Sequence, residues 1–333
     1  MGIIIEKKAY AKINLALDIT GTYEDGFHEI DTLMQAVSLC DTLTFEEADE
    51  LTLDVGDAKL SSGEDNLILR AARALAGATG HACTARIRLD KRIPVGAGLA
   101  GGSSDAAATL LGLNELWGTG LDIDRLRELG ASLGSDIPYC LLAIHGAETG
   151  SSTTVRAWGK GDELEVQRSF PSTYVVLAKP PVSIDTGWAY GAYDMARDTI
   201  PEYEFDHESD VDELCDYING VTPYDDNFEE FQREEMEMDE PLTRQEWWGF
   251  LADVCDNVFT QLIIWKYNIV LELINKLSQP KLNALMCNMS GSGPTVFAIY
   301  ETKKEAERAR DVIARGFRDM LDSGGFLTVC RTL

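Results

Sequence analysis

The chain has 333 residues, enough for two domains of ordinary size, and no run approaches the roughly 18 consecutive apolar residues that would cross a membrane. Its formal net charge is −27, from 56 acidic and 29 basic residues, and such a field repels phosphate backbones, which argues against nucleic-acid binding. The short apolar N-terminus precedes its lysines, the reverse of the order in a signal peptide, so we expect a cytoplasmic protein.

In chain order, the first half combines alternating apolar residues, typical of strands, with apolar residues at helical spacing. Asp25-Gly26 predicts a turn within this part. The predicted elements are a strand near 13–17, a second strand near 42–45, a helix over 66–76, a strand over 85–89, a helix opened by Ser103, Ser104 and Asp105, and a helix over 123–133.

The second half mixes both kinds of element without a regular strand–helix alternation, which favours an α+β fold. The predicted elements are a buried strand over 174–178, a helix over 267–277, a strand over 294–300, a helix over 303–318 and a strand over 326–330.

The acidity is concentrated in one segment. Residues 198–240 hold 18 Asp and Glu and a single basic residue, Arg233, so this stretch carries −17 and the rest of the chain only −10. The region at about 198–245 also lacks a regular apolar pattern. We predict a solvated surface insertion there.

A glycine-rich loop lies between the predicted strand at 85–89 and the helix that follows. It reads Pro94-Val95-Gly96-Ala97-Gly98-Leu99-Ala100-Gly101-Gly102-Ser103-Ser104. Glycines let the backbone approach a bulky anion, and a helix start offers unpaired N–H groups with partial positive charge, so the loop predicts a phosphate site. It lacks the lysine of a Walker A motif, and no second strand follows as a dinucleotide fold requires.

This segment resembles the P-x-x-x-G-L-x-x-G-S-S-x-A-A signature of GHMP kinases, which include galactokinase, homoserine kinase and mevalonate kinase. The resemblance implies a kinase that uses ATP and Mg²⁺, with the loop wrapped around the triphosphate. Ser103 or Ser104 would lie near the magnesium ion. The implied ATP-binding residues are Asn66, Pro94, Gly96, Gly98, Leu99, Gly101, Gly102, Ser103 and Ser104.

Two further segments resemble motifs of the same superfamily. They are Ala11-Lys12-Ile13-Asn14-Leu15 and Met289-Ser290-Gly291-Ser292-Gly293-Pro294-Thr295-Val296-Phe297. The resemblance implies the two-domain GHMP kinase fold: an N-terminal ribosomal-protein-S5-like domain over 1–168 with the phosphate loop, and a C-terminal ferredoxin-like α/β sandwich domain over 169–333. The acidic insertion would belong to the second domain.

Four shorter segments resemble the 4-diphosphocytidyl-2-C-methyl-D-erythritol kinase family. They are Gly26-Phe27-His28-Glu29-Ile30, Glu64-Asp65-Asn66-Leu67-Ile68, Leu133-Gly134-Ser135-Asp136-Ile137-Pro138 and Pro181-Val182-Ser183-Ile184. This resemblance implies phosphorylation of a 2-hydroxyl in the non-mevalonate isoprenoid route. Phe27, His28 and Tyr190 would form the cytidine pocket, with Trp188 as the alternative to Tyr190, and Ser290 and Gly291 would also contact the substrate.

The residues themselves leave plainer alternatives open. Phe27 and Tyr190 would by default be core aromatics, and His28 a solvated or structural histidine. Asp136 would be a loop aspartate bonded to nearby N–H groups, and Lys12 a surface lysine.

The resemblance assigns catalytic roles instead. Asp136 would accept the proton of the attacking hydroxyl, and Lys12 would support the negative charge that develops. Asn14 would orient the hydroxyl or the catalytic pair.

Two other functions stay open at this point. One is a GHMP kinase for another small alcohol, such as homoserine or a mevalonate derivative, and the other is a non-catalytic binding protein with this fold. The expected partner is a small-molecule cytidine diphosphate substrate, without nucleic acid or membrane. The chain is expected to be a monomer or a homodimer.

Overall fold

The computed structural model describes residues 3–56, 63, 65–199, 211, 215, 218–219 and 243–333. Within these residues the strands form two β-sheets. The first sheet contains β1 (Ile4–Thr22), β2 (His28–Glu46), β3 (Leu51–Val55), β4 (Ala85–Asp90), β5 (Thr154–Gly159) and β6 (Glu163–Val166). Its strand order is β3-β4-β2-β5-β6, with β1 paired along β2. One end of β2 pairs with β4 and the other end with β5.

Four helices accompany this sheet: α1 (Leu67–Thr79), α2 (Gly101–Leu116), α3 (Ile123–Ala131) and α4 (Ile137–Thr149). The Asn66 side chain caps α1 by accepting the N–H of Ile68. Helix α2 packs closely on the sheet at Gly112, which has no side chain. A Cβ there would lie only 2.3 Å from the Phe45 ring. For helix α2 the predicted side-chain cap was wrong, and the start lies two residues before the predicted one. The helix begins at Gly101 after Ala100 in a left-handed conformation, without a side-chain cap.

The second sheet contains β7 (Tyr174–Lys179), β8 (Met286–Met289), β9 (Val296–Tyr300) and β10 (Phe326–Arg331), in the order β10-β7-β9-β8. All its pairings are antiparallel. Ranked along the chain, the strands run 4-1-3-2, with helices between the first and second and between the third and fourth. This is the split βαβ arrangement of ferredoxin-like domains.

The helices of the second half are α5 (Thr186–Thr199), α6 (Arg244–Val254), α7 (Thr260–Lys266), α8 (Asn268–Leu277), α9 (Lys303–Gly316) and α10 (Arg318–Asp322). The predicted α+β class is thus confirmed. We propose that the domain boundary lies at residue 168, as the sequence predicts, because the first sheet ends at β6 and the second begins at β7.

The acidic insertion predicted at 198–245 lies mostly outside the described residues. Where the structure does describe it, a purely solvated insertion is wrong. Val211, Cys215 and Ile218 are buried in one hydrophobic cluster with Trp247 and Trp248. The acidic stretch therefore contributes apolar side chains to the core.

Membrane crossing is not supported by the helices of the described ranges, none of which has both the length and the apolar character required. The cytoplasmic location and the monomeric or dimeric state stay predictions.

Candidate active site

A cleft of about 920 Å³ is lined by residues of both halves of the chain. The first half contributes β1, the glycine-rich loop and the residues before α4, and the second contributes α5 and the loop after β8. The predicted site residues that line it are Lys12, Asn14, Phe27, His28, Asn66, Pro94, Gly96, Gly98, Leu99, Gly101, Gly102, Ser103, Asp136, Tyr190 and Gly291. The structure thus brings most of the predicted set together.

The glycine-rich loop of the first half fits tightly against the loop after β8. Gly98 has φ +72°, and a Cβ there would lie 2.3 Å from the backbone oxygen of Ser290. The Ser290 hydroxyl donates to the backbone oxygen of Gly98 at 2.9 Å. The Lys12 backbone N–H donates to Leu99 O at 3.2 Å, which ties the loop to β1. Ser290 is fully buried and, unlike Gly291, does not line the cleft, so the structure does not support the predicted contact of its side chain with the substrate.

The two serines at the start of α2 have different surroundings. Ser103 lines the cleft, whereas Ser104 is fully buried in the helix and does not line it. Of the two candidates for a position near magnesium, only Ser103 therefore faces the cleft.

Lys91 is a cleft residue that the sequence analysis did not single out. Its Nζ lies 2.6 Å from both Asp41 Oδ2 and Asp105 Oδ2. The same Nζ is close to the glycine-rich loop, since a Cβ added at Gly101 would lie 3.1 Å from it. Burial lowers the pKa of Lys91, but the two carboxylates raise it overall. Burial raises the pKa of Asp105 to about 8, against the opposing effect of Lys91.

Lys12 is 5% exposed, so the default prediction of a surface lysine does not hold. Its Nζ donates to Asn14 Oδ1. Asn14 Nδ2 donates to Thr32 Oγ1 at 2.8 Å, and Thr32 donates to Ala16 O at 2.6 Å. Thr32, which no motif indicated, therefore fixes the orientation of the amide that receives Lys12.

Asp136 occupies the N-cap position of α4, but its side chain makes no cap hydrogen bond. The local bonding expected from the sequence alone is therefore not observed. The carboxylate lies at the N-terminal end of helix α4, which carries partial positive charge. Among the described residues, no carboxylate lies within 4.0 Å of Lys12 Nζ, so Lys12 and Asp136 share the cleft without forming an ion pair.

The aromatic part of the cleft is built around His28. Its ring centroid lies 4.7 Å from that of Tyr190, and its Nε2 lies 2.8 Å from Asp194 Oδ1. An ionised carboxylate only accepts hydrogen bonds, so Nε2 carries the proton. Burial, and then the charge of Asp136, raise the pKa of Tyr190 to about 12, so its phenol is neutral at ordinary pH.

Phe27 and Trp188 differ in their relation to this group. Phe27 is 62% exposed at the cleft edge, not a core residue, and Lys160 Nζ lies 4.7 Å from its ring centroid. Trp188 does not line the cleft, and the centroid of its ring lies 3.4 Å from Lys266 Nζ. Of the two candidates on α5, Tyr190 is therefore the one that faces the cleft.

Comparison with known proteins identifies the family of this chain. Residues 66–143 match the profile of the GHMP kinases N terminal domain, and residues 267–319 match that of GHMP kinases C terminal. The 4-diphosphocytidyl-2-C-methyl-D-erythritol kinase of Lachnoclostridium phytofermentans is 35% identical over 310 residues, covering 92% of this chain and 91% of its own. The chain belongs to the 4-diphosphocytidyl-2-C-methyl-D-erythritol kinase family. The member from Bacillus cereus strain B4264 is 36% identical over 304 residues, or 90% of each chain.

Solved structures show the same fold. A crystal structure of 4-(cytidine 5'-diphospho)-2C-methyl-D-erythritol kinase superposes with a TM-score of 0.68 and 27% identity, covering 98% of this chain and 99% of that one. Homoserine kinase from Cytophaga hutchinsonii shares the fold, with a TM-score of 0.63 and 16% identity over 99% of this chain and 94% of its own. The predicted two-domain GHMP kinase fold is confirmed, and kinase membership implies the use of ATP.

Proposed function

We propose that this protein transfers the γ-phosphoryl group of ATP to the 2-hydroxyl of 4-diphosphocytidyl-2-C-methyl-D-erythritol, in isoprenoid precursor biosynthesis. The observation that carries the proposal is the shared cleft. The buried Lys12 lines it together with Asp136, whose side chain makes no cap hydrogen bond. The glycine-rich loop 94–102 and the aromatic pair His28–Tyr190 line it as well.

The nucleotide is held at the start of α2. Backbone N–H groups at a helix start supply partial positive charge to a phosphate chain. This source matters because the protein carries a net charge of −27, which would otherwise repel ATP. Asn66, at the start of α1, lines the same end of the cleft and is proposed to contact the adenosine.

Asp136 is proposed to accept the proton of the 2-hydroxyl. Its carboxylate makes no cap hydrogen bond, so it is available to a substrate hydroxyl. Lys12 is proposed to stabilise the charge of the attacking oxygen and of the phosphoryl group in transfer. Asn14 holds the ammonium group in place through its side-chain oxygen. Phosphoryl transfer depends mainly on such positioning and electrostatics.

A magnesium ion fits the oxygen groups present. In the part of the chain that the structure describes, no three His, Cys, Asp or Glu residues form a metal cluster. Mg²⁺ in kinases is held by few protein ligands together with substrate phosphates and water, so a full protein cage is not needed. The Ser103 hydroxyl, which faces the cleft, is the proposed ligand. When bound, the ion neutralises phosphate charge.

The cytosine is proposed to bind between Phe27 and the His28–Tyr190 pair. An exposed aromatic ring at a cleft edge offers a face for stacking, which contributes about 1–3 kcal/mol per base. The contact of His28 with Asp194 fixes the ring before any ligand arrives. A smaller alcohol such as homoserine would leave this aromatic group without a role.

The test is ATP consumption with a panel of three acceptors: 4-diphosphocytidyl-2-C-methyl-D-erythritol, homoserine and mevalonate. Wild type and Asp136→Ala are compared. We expect turnover with the cytidyl acceptor alone, and its loss in the variant. Turnover with a different acceptor would overturn the cytidine pocket, and turnover with none would favour a non-catalytic protein.

A further inference from the structure

Asn257 lies in the short connection between α6 and α7 and has no part in the mechanism above. Its side chain is 1% exposed. Nδ2 donates to the backbone oxygens of Met289 at 2.7 Å and Gly291 at 2.9 Å. Oδ1 accepts the N–H of Phe259 at 3.0 Å. A primary amide has two N–H donors and one acceptor oxygen, so all three groups of Asn257 are used.

The backbone on either side of Asn257 is bonded to β1. Leu17 N–H donates to Asp256 O at 2.9 Å, and Val258 N–H donates to Leu17 O at 3.0 Å. The same strand carries Lys12 and Asn14. Asn257 therefore holds the loop after β8 in a fixed position relative to the strand that presents the catalytic lysine.

The loop that Asn257 holds lies directly against that lysine. Gly291 has φ +57°, and a Cβ there would lie 3.5 Å from Lys12 Nζ, 3.4 Å from Asn14 Oδ1 and 3.3 Å from Gly98 O. Even one added carbon would be in contact with all three. A small displacement of the loop would therefore change the surroundings of the lysine.

We propose that Asn257 is a positioning residue for phosphoryl transfer, acting through the loop 290–293 on Lys12 and Asn14. Its third hydrogen bond reaches a residue near the aromatic end of the cleft. Phe259, whose N–H it accepts, packs edge-on against Tyr190 with ring centroids 4.9 Å apart. One amide thus connects the phosphate and aromatic ends of the site.

Asn288 provides a matched control. It is 7% exposed and also joins β8 to this connection. Its Nδ2 donates to Cys255 O at 3.1 Å, and its Oδ1 accepts from Thr260 Oγ1 at 3.1 Å. It makes no hydrogen bond to the loop 290–293 in the described structure. Asn→Asp at either position keeps the side-chain shape but places a carboxylate against backbone oxygen.

The experiment compares Asn257→Asp with Asn288→Asp, at a temperature well below both melting points. Because a misplacement of about 1 Å can cost about 10²-fold in rate, we expect Asn257→Asp to lower kcat by about 10- to 100-fold. The KM values for ATP and acceptor should change far less. Asn288→Asp should lose comparable thermal stability and keep its kcat. Equal losses of kcat in both variants, or a change in KM alone, would overturn the proposal.

The inference rests on the proposed function, so a second readout needs no substrate. Amide hydrogen exchange over 290–295 should be faster in Asn257→Asp than in Asn288→Asp, and equal exchange would reject the positioning role. If the aspartate variant does not fold, Asn257→Ala, which adds no charge, replaces it in the same exchange measurement. A wild type that does not phosphorylate the cytidyl acceptor would reject the proposed function and leave the exchange result to decide the role of Asn257.

Discussion

The Ser290 hydroxyl donates to the backbone oxygen of Gly98 at 2.9 Å, across 192 positions of sequence. The hydroxyl oxygen of Ser290 in turn accepts the backbone N–H of Asn14 at 3.3 Å. One hydroxyl therefore joins β1 and both glycine-rich loops close to Lys12 in the sequence of β1.

Gly98→Ala should lower kcat by about 10²-fold, the scale expected for misplaced catalytic groups. The new Cβ would lie 2.3 Å from Ser290 O and 3.0 Å from Gly293 O, so the two loops must separate. Gly80→Ala is the control, because Gly80 has a similar φ of +70° but no atom within 4 Å of an added Cβ. It should cost about 1–2 kcal/mol of unfolding free energy and keep full activity. Equal activity losses in the two variants would assign the effect to backbone strain alone.

Lys12→Met should lower kcat by about 10²- to 10³-fold, the usual cost of removing one group that stabilises transition-state charge. Thermal stability should change little. The lost hydrogen bond to Asn14 Oδ1 is offset by removal of a buried charge, and among the described residues no carboxylate within 4.0 Å loses an ion-pair partner. Lys8→Met, on the exposed face of the same strand, is the control and should keep its kcat. Steady-state kinetics and thermal denaturation check both, and a fully active Lys12→Met would contradict the role of Lys12.

Asp105→Asn should raise thermal stability, and more so at higher pH. The pKa of Asp105 is raised to about 8 by burial, so its ionisation in the folded protein is unfavourable. Proton binding to Asp105 therefore favours the folded wild type. This contribution to the free energy of unfolding is complete below the ordinary carboxyl pKa and is lost as pH rises through about 8. The melting-point difference between variant and wild type should grow between about pH 5 and pH 9.

Asp41→Asn is the counterpart of Asp105→Asn in the same cluster. Asp41 accepts the N–H groups of Arg92 at 2.5 Å and Ile93 at 2.8 Å as well as Lys91. An amide keeps one acceptor oxygen, so either the two backbone N–H groups on Oδ1 or Lys91 Nζ on Oδ2 would face a nitrogen that cannot accept. This variant should therefore be less stable than wild type at every pH. A melting point for Asp105→Asn below that of wild type at about pH 9 would show that its charge stabilises the fold.

Ile218→Ala should destabilise the protein by about 2–5 kcal/mol, the usual cost of truncating a buried isoleucine. Ile218 is fully buried although it lies in the acidic stretch. Ile4→Ala, at a residue 63% exposed, is the matched control and should change stability by less than about 0.5 kcal/mol. Chemical denaturation measures both, and similar values would mean that the acidic stretch adds nothing to the core.

The sequence predicted elements best where apolar residues follow a clear period. Strand β4 and helices α1, α8 and α9 were predicted within about three residues of their observed ends, within the usual uncertainty of such boundaries. Helix α4 was missed because its apolar residues occupy most of its circumference, so no helical period stands out. The cap of α2 was mispredicted because Ala100 precedes the helix in a left-handed backbone conformation, and no side chain caps it.

The residues of the candidate site also differ in whether a local sequence pattern indicates them. Residues within recognisable motifs, such as Lys12 and Gly98, could be named from the sequence. Lys91, Thr32 and Asn257 could not, because their roles depend on partners far away in the chain. Lys91, for example, contacts Asp41 across 50 positions. Only the folded sheet order brings such pairs together.

The wide sequence separation within the cleft also affects how the protein is made. Asn14 and Ser290 bond across 276 positions, and contacts of such range form late in folding. A nascent chain that ends before β8 contains the glycine-rich loop of the first half and Asp136 but not the loop that lies against Lys12. The contacts of Ser290 with Asn14 and Gly98 can therefore form only near the end of synthesis, after both of its partners have long left the ribosome.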